Sequence, residues 1–198
     1  ALHAARAMGY PVALKIASAS VPHKTDAGGL MLDVCDDAGL VQAYDRILAN
    51  VAHAVPHARI DGMQVQKMMP AGAEMVVGVT RDPDFGHLLM VGLGGVLVEV
   101  LQDVAFSPVP VSVDQAEELI RSLKGFALLD GARGAPCGDV HALSVLASRL
   151  SRLVAEHPDA IDEIELNPVL VYEAGACAVD YLIRGEPACP PVKSMKGH

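Results

Sequence analysis

Between Ile60 and Leu93 three strand-like runs follow one another with only short turns between them. They are Ile60 to Met68, Glu74 to Thr80 and Leu88 to Leu93, with Pro70-Ala71-Gly72 turning the chain between the first two. No helix separates them, so the regular strand–helix–strand alternation of a parallel sheet is absent. The rest of the pattern agrees. Pro11 to Ile16 and Leu30 to Val34 are strand-like, with Gly28-Gly29 turning the chain before the second. Apolar residues at Val41, Tyr44, Leu48, Val51 and Val55 predict an amphipathic helix from Asp37 to Val55, capped by Asp36 or Asp37. A second helix is expected over Val113 to Leu123, capped by Ser112 or Asp114. A third runs from Asp139 to His157 with Leu143, Leu146, Leu150 and Leu153 as its stripe. A hairpin pairing Ile161 to Leu166 with Ala176 to Ile183 closes the order, turning near Ala174-Gly175. The fold class is therefore α+β with mainly antiparallel sheets and flanking helices.

The 198 residues suit one sizeable domain or two small lobes, and we place a boundary near Pro70. That gives residues 1–69 and 70–185, followed by a loose tail, 186–198, with three prolines. The opening run Leu2 to Met8 reads as the end of a helix stopped by Gly9, without an initiator Met or a starting cap. The chain is thus expected to be cut from a longer protein.

Composition removes several classes of function. Hydrophobic residues make up 52% and charged ones 20%, which disfavours disorder. The apolar runs are broken by Gly, Pro and charge, so no membrane span is expected. A net charge of -9 without a basic cluster disfavours nucleic acid, and the lack of Trp removes the usual base-stacking platform. Cys35, Cys137, Cys177 and Cys189 are scattered without a C-x-x-C pair, which suits a reducing cytoplasm rather than a zinc site.

The chemistry-bearing pattern lies near the end, in Glu163-Ile164-Glu165-Leu166-Asn167-Pro168. Residues two apart on a strand share a face, so Glu163, Glu165 and Asn167 point one way. With the hairpin turning at Ala174-Gly175, Asp180 falls opposite Val169 and on the face of Asn167. Glu165, Asn167 and Asp180 then form an all-oxygen set suited to Mg²⁺ bridging phosphates. Glu163 alone reads better as part of a solvated strand face. Lys15, between apolar neighbours in Val12-Ala13-Leu14-Lys15-Ile16, must snorkel to water or meet an anion such as phosphate. His23 opens a polar loop ahead of Gly28-Gly29, where a polar turn and a phosphate-handling loop are both open readings. Gly92-Leu93-Gly94-Gly95, followed by Glu99, is only loosely like a phosphate turn and matches neither G-x-x-x-x-G-K-[ST] nor G-x-G-x-x-G. Arg133, in Gly131-Ala132-Arg133-Gly134, suits anion binding and surface solvation equally.

Six blocks in register resemble one family. They are Gly9 to Ile16, His23 to Gly29, Glu74 to Val79, Arg81 to Gly86, Gly92 to Val96 with Val98-Glu99-Val100, and Glu163 to Pro168. Together they are similar to the ATP-grasp domain of NDP-forming (ADP-forming) acyl-CoA synthetases, the acetate–CoA ligases. More distantly, around Asn167-Pro168 and Asp180, the chain resembles succinyl-CoA synthetase β subunits. The resemblance covers Gly9 to Arg184, and it implies an ATP-grasp fold whose N-terminal part is truncated here. It also implies ATP/ADP and Mg²⁺ as cofactors, in a reaction that makes acyl-CoA from a carboxylic acid, CoA and ATP. ADP and phosphate are released, and phosphohistidine carries the phosphoryl group.

The same resemblance implies roles for single residues. His23 would be a second phosphorylated histidine and Lys15 would contact the nucleotide phosphates. Gln66, Lys67 and Met68 would present backbone to adenine, Glu74 would lie near base or ribose, and Glu165, Asn167 and Asp180 would bind magnesium. The family often has Asp where Glu165 stands, and either can ligate magnesium. CoA-binding and ligase domains, in the same protein or on a partner subunit, would complete an acid–CoA ligase that is oligomeric at full length. The fragment alone would be inactive. A second reading is the ligase-like regulatory region of a protein lysine acetyltransferase.

Overall fold

The computed structural model describes residues 1–21, 24–94, 102–134 and 136–185, without the side chain of Arg133. His23, the segment 95–101 with Glu99, and the tail 186–198 lie outside the described residues. The chain divides into two compact units, Ala1–Pro70 and Ala71–His198.

The first unit holds α1 (Leu2–Met8), β1 (Val12–Ala17), β2 (Leu30–Val34), α2 (Asp37–Ala54) and β3 (Gly62–Lys67). Its three strands are antiparallel in the order β2-β1-β3. Gly9, at φ 80, ends α1 as the sequence suggests. Asp36 caps α2, its side chain accepting from the Gly39 N–H at 2.7 Å. Arg6 and Tyr10 both donate to the Asp37 carboxylate, tying the end of α1 to the start of α2.

The expected apolar stripe of α2 needs correction. The buried residues are Leu40, Ala43, Ile47 and Val51, while Val41 and Tyr44 are exposed. Both sets have spacings of three and four, so periodicity alone does not choose between adjacent stripes. The chosen face is the one that packs on Val12, Leu14, Ile16 and Val34 of the sheet. Alanine, with little hydrophobic weight, hides that face in the sequence.

The second unit holds β4 (Ala73–Asp82), β5 (Gly86–Leu93), β6 (Val104–Pro108), α3 (Val113–Arg121), α4 (Val140–Glu156), β7 (Glu163–Val171), β8 (Ala176–Ala178) and β9 (Tyr181–Arg184). The sheet runs β6-β5-β4-β7-β8 with β9 also pairing to β7, and each of these pairings is antiparallel. The antiparallel expectation is thus met. Strand β6 was missed by the periodicity, because its five residues end on Pro108. A terminal proline is tolerated here because β6 is an edge strand.

Helix α3 begins with a capping box in which Ser112 and Gln115 exchange side-chain and backbone bonds. Helix α4 also departs from its expected stripe. Leu143, Ala147, Leu150 and Val154 are buried together with Ser144, Ser148 and Ser151, whereas Leu153 is 42% exposed. The buried serines conceal the core face, and each is satisfied. Ser144 donates to Val140 O at 2.8 Å, Ser148 to Val111 O at 2.8 Å and Ser151 to Ser148 O at 2.8 Å. The core of this unit lies between α3, α4 and the sheet face carrying Met75, Val77, Val79, Leu89, Val91 and Ile164.

Candidate functional site

The sheet of the second unit has a second face, turned away from that core, and the strand registers define what stands on it. Gly78 pairs with Met90 on one side and Glu165 on the other, and Met90 pairs with Phe106. Since Val77, Val79, Leu89 and Val91 are buried in the core, Phe106, Met90, Gly78 and Glu165 form one row on the opposite face. The row on one side of it runs through Leu88, Thr80 and Glu163 to Arg184, and the row on the other through Val104, Gly92 and Val76.

Strand β7 changes parity partway along. Ile164 pairs with Val79, but Met75 pairs with Val169 and Val77 with Leu166, so one extra residue is accommodated at Asn167-Pro168. Ile164 and Leu166 on one side of this bulge, and Val169 and Val171 on the other, all pack in the core. The bulge is what lets a strand with two phases of apolar residues keep one buried face.

The predicted hairpin register is shifted. The Tyr172 N–H donates to Gly175 O at 3.0 Å, so the turn is made by Glu173-Ala174, earlier than expected. Val169 consequently pairs with Ala178, and Asp180 stands opposite Asn167 instead of Val169. The Asn167 N–H donates to Asp180 O at 3.2 Å, and Val179 N–H to Pro168 O at 3.1 Å. Because the bulge turns Val169 into the core, it is this direct pairing that puts Asp180 on the face of Asn167, and the two side chains start closer than the diagonal pairing allowed.

Asn167 also donates from Nδ2 to Glu165 Oε1 at 3.0 Å, and the Asp180 carboxylate accepts from the Tyr181 N–H at 3.0 Å. Glu163 behaves differently: its Oε2 accepts from Arg184 Nη1 at 2.8 Å, an ion pair that occupies it structurally. The Glu165 carboxylate and Asn167 amide are thus in side-chain contact, and Asp180 is the cross-strand neighbour of Asn167. Their oxygens are hard donors of the kind a small divalent cation prefers. Among the described residues no group of three or more His, Cys, Asp or Glu is placed to hold a metal ion.

The other candidates are placed as follows. Lys15 is 5% exposed in the central strand β1, paired with Leu30 and Gln64, so its head does not snorkel into solvent. Gln66 and Lys67 end β3 opposite Ala13 and Val12, and the Met68 N–H donates to Pro11 O at 3.3 Å. Glu74 opens β4 opposite Leu170 and lines a cavity of about 790 Å³ with Met75, Gly94, Leu128, Cys137 and Tyr172.

The glycines at 92 and 94 have a packing reason. A Cβ at Gly94 would lie 2.8 Å from Glu74 and Met75 backbone atoms, and one at Gly92 would lie 2.7 Å from Val104. Two acids escaped the sequence reading. Asp103 is 7% exposed and accepts from Lys124 N at 3.0 Å and Gly125 N at 2.7 Å. Asp139 accepts from Ala142 N at 2.9 Å and Gly175 N at 2.8 Å, clamping the start of α4 to the β7–β8 turn. The Ala142 and Gly175 N–H groups hold its carboxyl below the usual range. The sequence marks Asp139 only as the start of a helix; nothing in it signals the second partner.

Comparison with known proteins agrees with this architecture. The model of the ATP-grasp domain family matches residues 1–184. The chain is 44% identical over 183 residues to acetate–CoA ligase [ADP-forming] I of Archaeoglobus fulgidus, covering 92% of this chain and 26% of that protein. It is 40% identical over 173 residues to the β subunit of acetate–CoA ligase [ADP-forming] I of Pyrococcus furiosus, covering 87% and 74%. The chain thus spans about a quarter of the first relative's length and about three quarters of the second's.

Among solved structures it resembles the dinucleotide-forming acetyl-coenzyme A synthetase 1 of Candidatus Korarchaeum cryptofilum. With coenzyme A, Ca-AMPCP and HgCl+ bound to that protein, the TM-score is 0.89 at 39% identity, covering 94% of this chain and 81% of that one. A second structure of the same protein holds coenzyme A and Mg-AMPPCP, its phosphohistidine segment pointing towards the nucleotide binding site. It matches at TM-score 0.79 and 36% identity, covering 94% of this chain and 81% of that one. The chain belongs to the ATP-grasp domain family, in the group of ADP-forming acetate–CoA ligase β subunits and domains.

Proposed function

We propose that the chain is the nucleotide-binding part of an ADP-forming acid–CoA ligase that converts a carboxylic acid, CoA and ATP into acyl-CoA, ADP and phosphate. The observation that carries this reading is the match to the ATP-grasp family over residues 1–184 with 40–44% identity to ADP-forming acetate–CoA ligases, and within it Glu165, Asn167 and Asp180 offer oxygen donors. These donors fit Mg²⁺, which takes one or two carboxylates together with substrate phosphates. When bound, the metal would neutralise charge on the β- and γ-phosphates. Glu165 and Asp180 would supply carboxylate oxygens, and Asn167 its amide oxygen. The Glu165 carboxylate would hold the Asn167 amide by its NH₂ group, steering that oxygen toward the ion.

The remaining roles follow the family resemblance. Lys15 would meet the nucleotide phosphates, Gln66, Lys67 and Met68 the adenine, and Glu74 the base or ribose. In the phosphoryl step a neutral imidazole nitrogen attacks the γ-phosphorus and an N–P bond forms. The bond from phosphorus to the β–γ bridging oxygen breaks, its electrons leave on ADP, and the ring's other N–H proton passes to water. His23 would serve as one such histidine. CoA-binding and ligase domains, in the same protein or on a partner subunit, would complete the reaction in an oligomeric enzyme. A reducing cytoplasm suits the free thiols of Cys35, Cys137 and Cys177. The reading as a regulatory region of a lysine acetyltransferase gains no support from the relatives.

The test is made on the complete ligase carrying this chain, incubated with [γ-³²P]ATP and Mg²⁺. Acid-labile, base-stable label on protein, discharged by CoA with a carboxylic acid, is the expected result. Absence of phosphohistidine with ATP bound would rule the proposal out.

A further inference from the structure

Asp139 grips both ends of the turn that begins the return strand of the closing hairpin. Its own N–H donates to Tyr172 O at 2.7 Å, and its Oδ2 accepts from the Gly175 N–H at 2.8 Å. Tyr172 and Gly175 flank the two loop residues, since the Tyr172 N–H donates to Gly175 O at 3.0 Å. The other carboxylate oxygen, Oδ1, accepts from the Ala142 N–H at 2.9 Å and caps α4. A 17-residue helix seated in the core is thus fastened to a two-residue loop.

The loop and the strands after it hold their register weakly by themselves. Two-residue hairpin loops favour type I′ and II′ turns, which need a positive φ at the first loop residue. Neither Glu173 nor Ala174 has one; the positive φ falls just after them, on Gly175, at 91°. Strand β8 then consists of Ala176, Cys177 and Ala178, whose small side chains tell one register poorly from the next. In β9 the large apolar side chains of Tyr181 and Ile183 are more than half exposed, so burial pins that strand little either. Yet the same register holds from Val171 opposite Ala176 to Glu163 opposite Arg184, and within it Asp180 falls opposite Asn167. A slip of one residue at the loop would turn Asp180 to the other face.

We infer that Asp139 is a positioning residue for the metal end of the nucleotide site. By holding the loop at both ends it keeps Asp180 across from Asn167. The inference rests on the proposed function above, which gives Asn167 and Asp180 to Mg²⁺. Tyr172 and Asn167 stand roughly 16 Å apart along β7, so Asp139 acts through the register and not by contact with the metal.

Asp139→Ser keeps an acceptor for the Ala142 N–H but leaves none for Gly175, because one hydroxyl replaces two carboxylate oxygens. Ser112→Ala removes the cap of α3 in the same unit without touching the hairpin. In the complete ligase, ATP affinity is measured by calorimetry with and without Mg²⁺, and hydrogen exchange is followed by mass spectrometry. Asp139→Ser is expected to weaken Mg·ATP binding about fivefold, the scale of one hydrogen bond, at unchanged metal-free affinity. Exchange should quicken across residues 167–175. Ser112→Ala should match wild type in both affinities. Wild-type Mg·ATP affinity in Asp139→Ser would overturn the inference. So would an equal loss with and without Mg²⁺, or the same loss in Ser112→Ala, since either marks a general loss of stability. Exchange that quickens only in the first turn of α4 would also overturn it, by reducing Asp139 to a helix cap. If wild-type ATP binding does not depend on Mg²⁺, the proposed function itself fails, an outcome distinct from all of these.

Discussion

Asn167 and Asp180 oppose one another across the closing hairpin, joined by the bond from Asn167 N–H to Asp180 O at 3.2 Å. Their pairing depends on two local devices. The bulge at Asn167-Pro168 lets β7 turn Ile164 and the partly buried Leu166 to the core before it and Val169 and Val171 after it. The turn at Glu173-Ala174 then sets the return strand so that Asp180 meets Asn167. The juxtaposition of Asn167 and Asp180 therefore follows from backbone register as much as from the side chains themselves.

The two faces of α4 give a contrast that equilibrium denaturation resolves. Leu143 is fully buried and Leu153 is 42% exposed. Leu143→Ala should cost about 2–5 kcal/mol through lost contacts and a residual cavity. Leu153→Ala should stay within about 0.5 kcal/mol of wild type. Comparable losses for both would return the core face to the Leu143/146/150/153 stripe.

Asp103 holds the Lys124 and Gly125 N–H groups in place, each through one carboxylate oxygen. Asp103→Ala leaves both donors without that acceptor and should lower stability by about 1–3 kcal/mol. Hydrogen exchange should show the loss of protection at those two amides before it appears elsewhere. Unchanged protection there would contradict the clamp.

Asp139 makes stability depend on acid pH. Its carboxyl is held below the usual range, chiefly by the Ala142 N–H and then by Gly175. A depressed folded value means the contribution is present above the unfolded value, near 3.9, and is lost as pH falls through the folded one. Asp139→Asn should lower the urea midpoint at pH 7, and the gap from wild type should close below about pH 4. A gap that stays constant down to pH 3 would show that the charge of Asp139 plays no part.

Much of this arrangement is legible in the sequence, for identifiable reasons. Strand–turn–strand runs without intervening helices announce antiparallel sheets, and Asp36, Ser112 and Asp139 mark helix starts because their side chains satisfy exposed N–H groups. The face shared by Glu165 and Asn167 follows from the two-residue period. What stayed hidden is tertiary. Ala43, Ala147 and the serines of α4 carry too little hydrophobic signal to reveal which stripe is buried. The position of the Glu173-Ala174 turn, the bulge at Asn167-Pro168 and the pairing of Phe106 with Met90 depend on partners distant in sequence. The ligase reading itself rests on six blocks in order, a signal that no single residue carries.

The most direct test titrates ATP into the complete protein by calorimetry, with and without Mg²⁺, for wild type, Asn167→Ala and Asp180→Ala. Tight binding by wild type should require Mg²⁺, and each variant should lose roughly tenfold or more in Mg·ATP affinity, ~1.4 kcal/mol, with little change in metal-free binding. Wild-type Mg·ATP affinity in both variants would contradict the account.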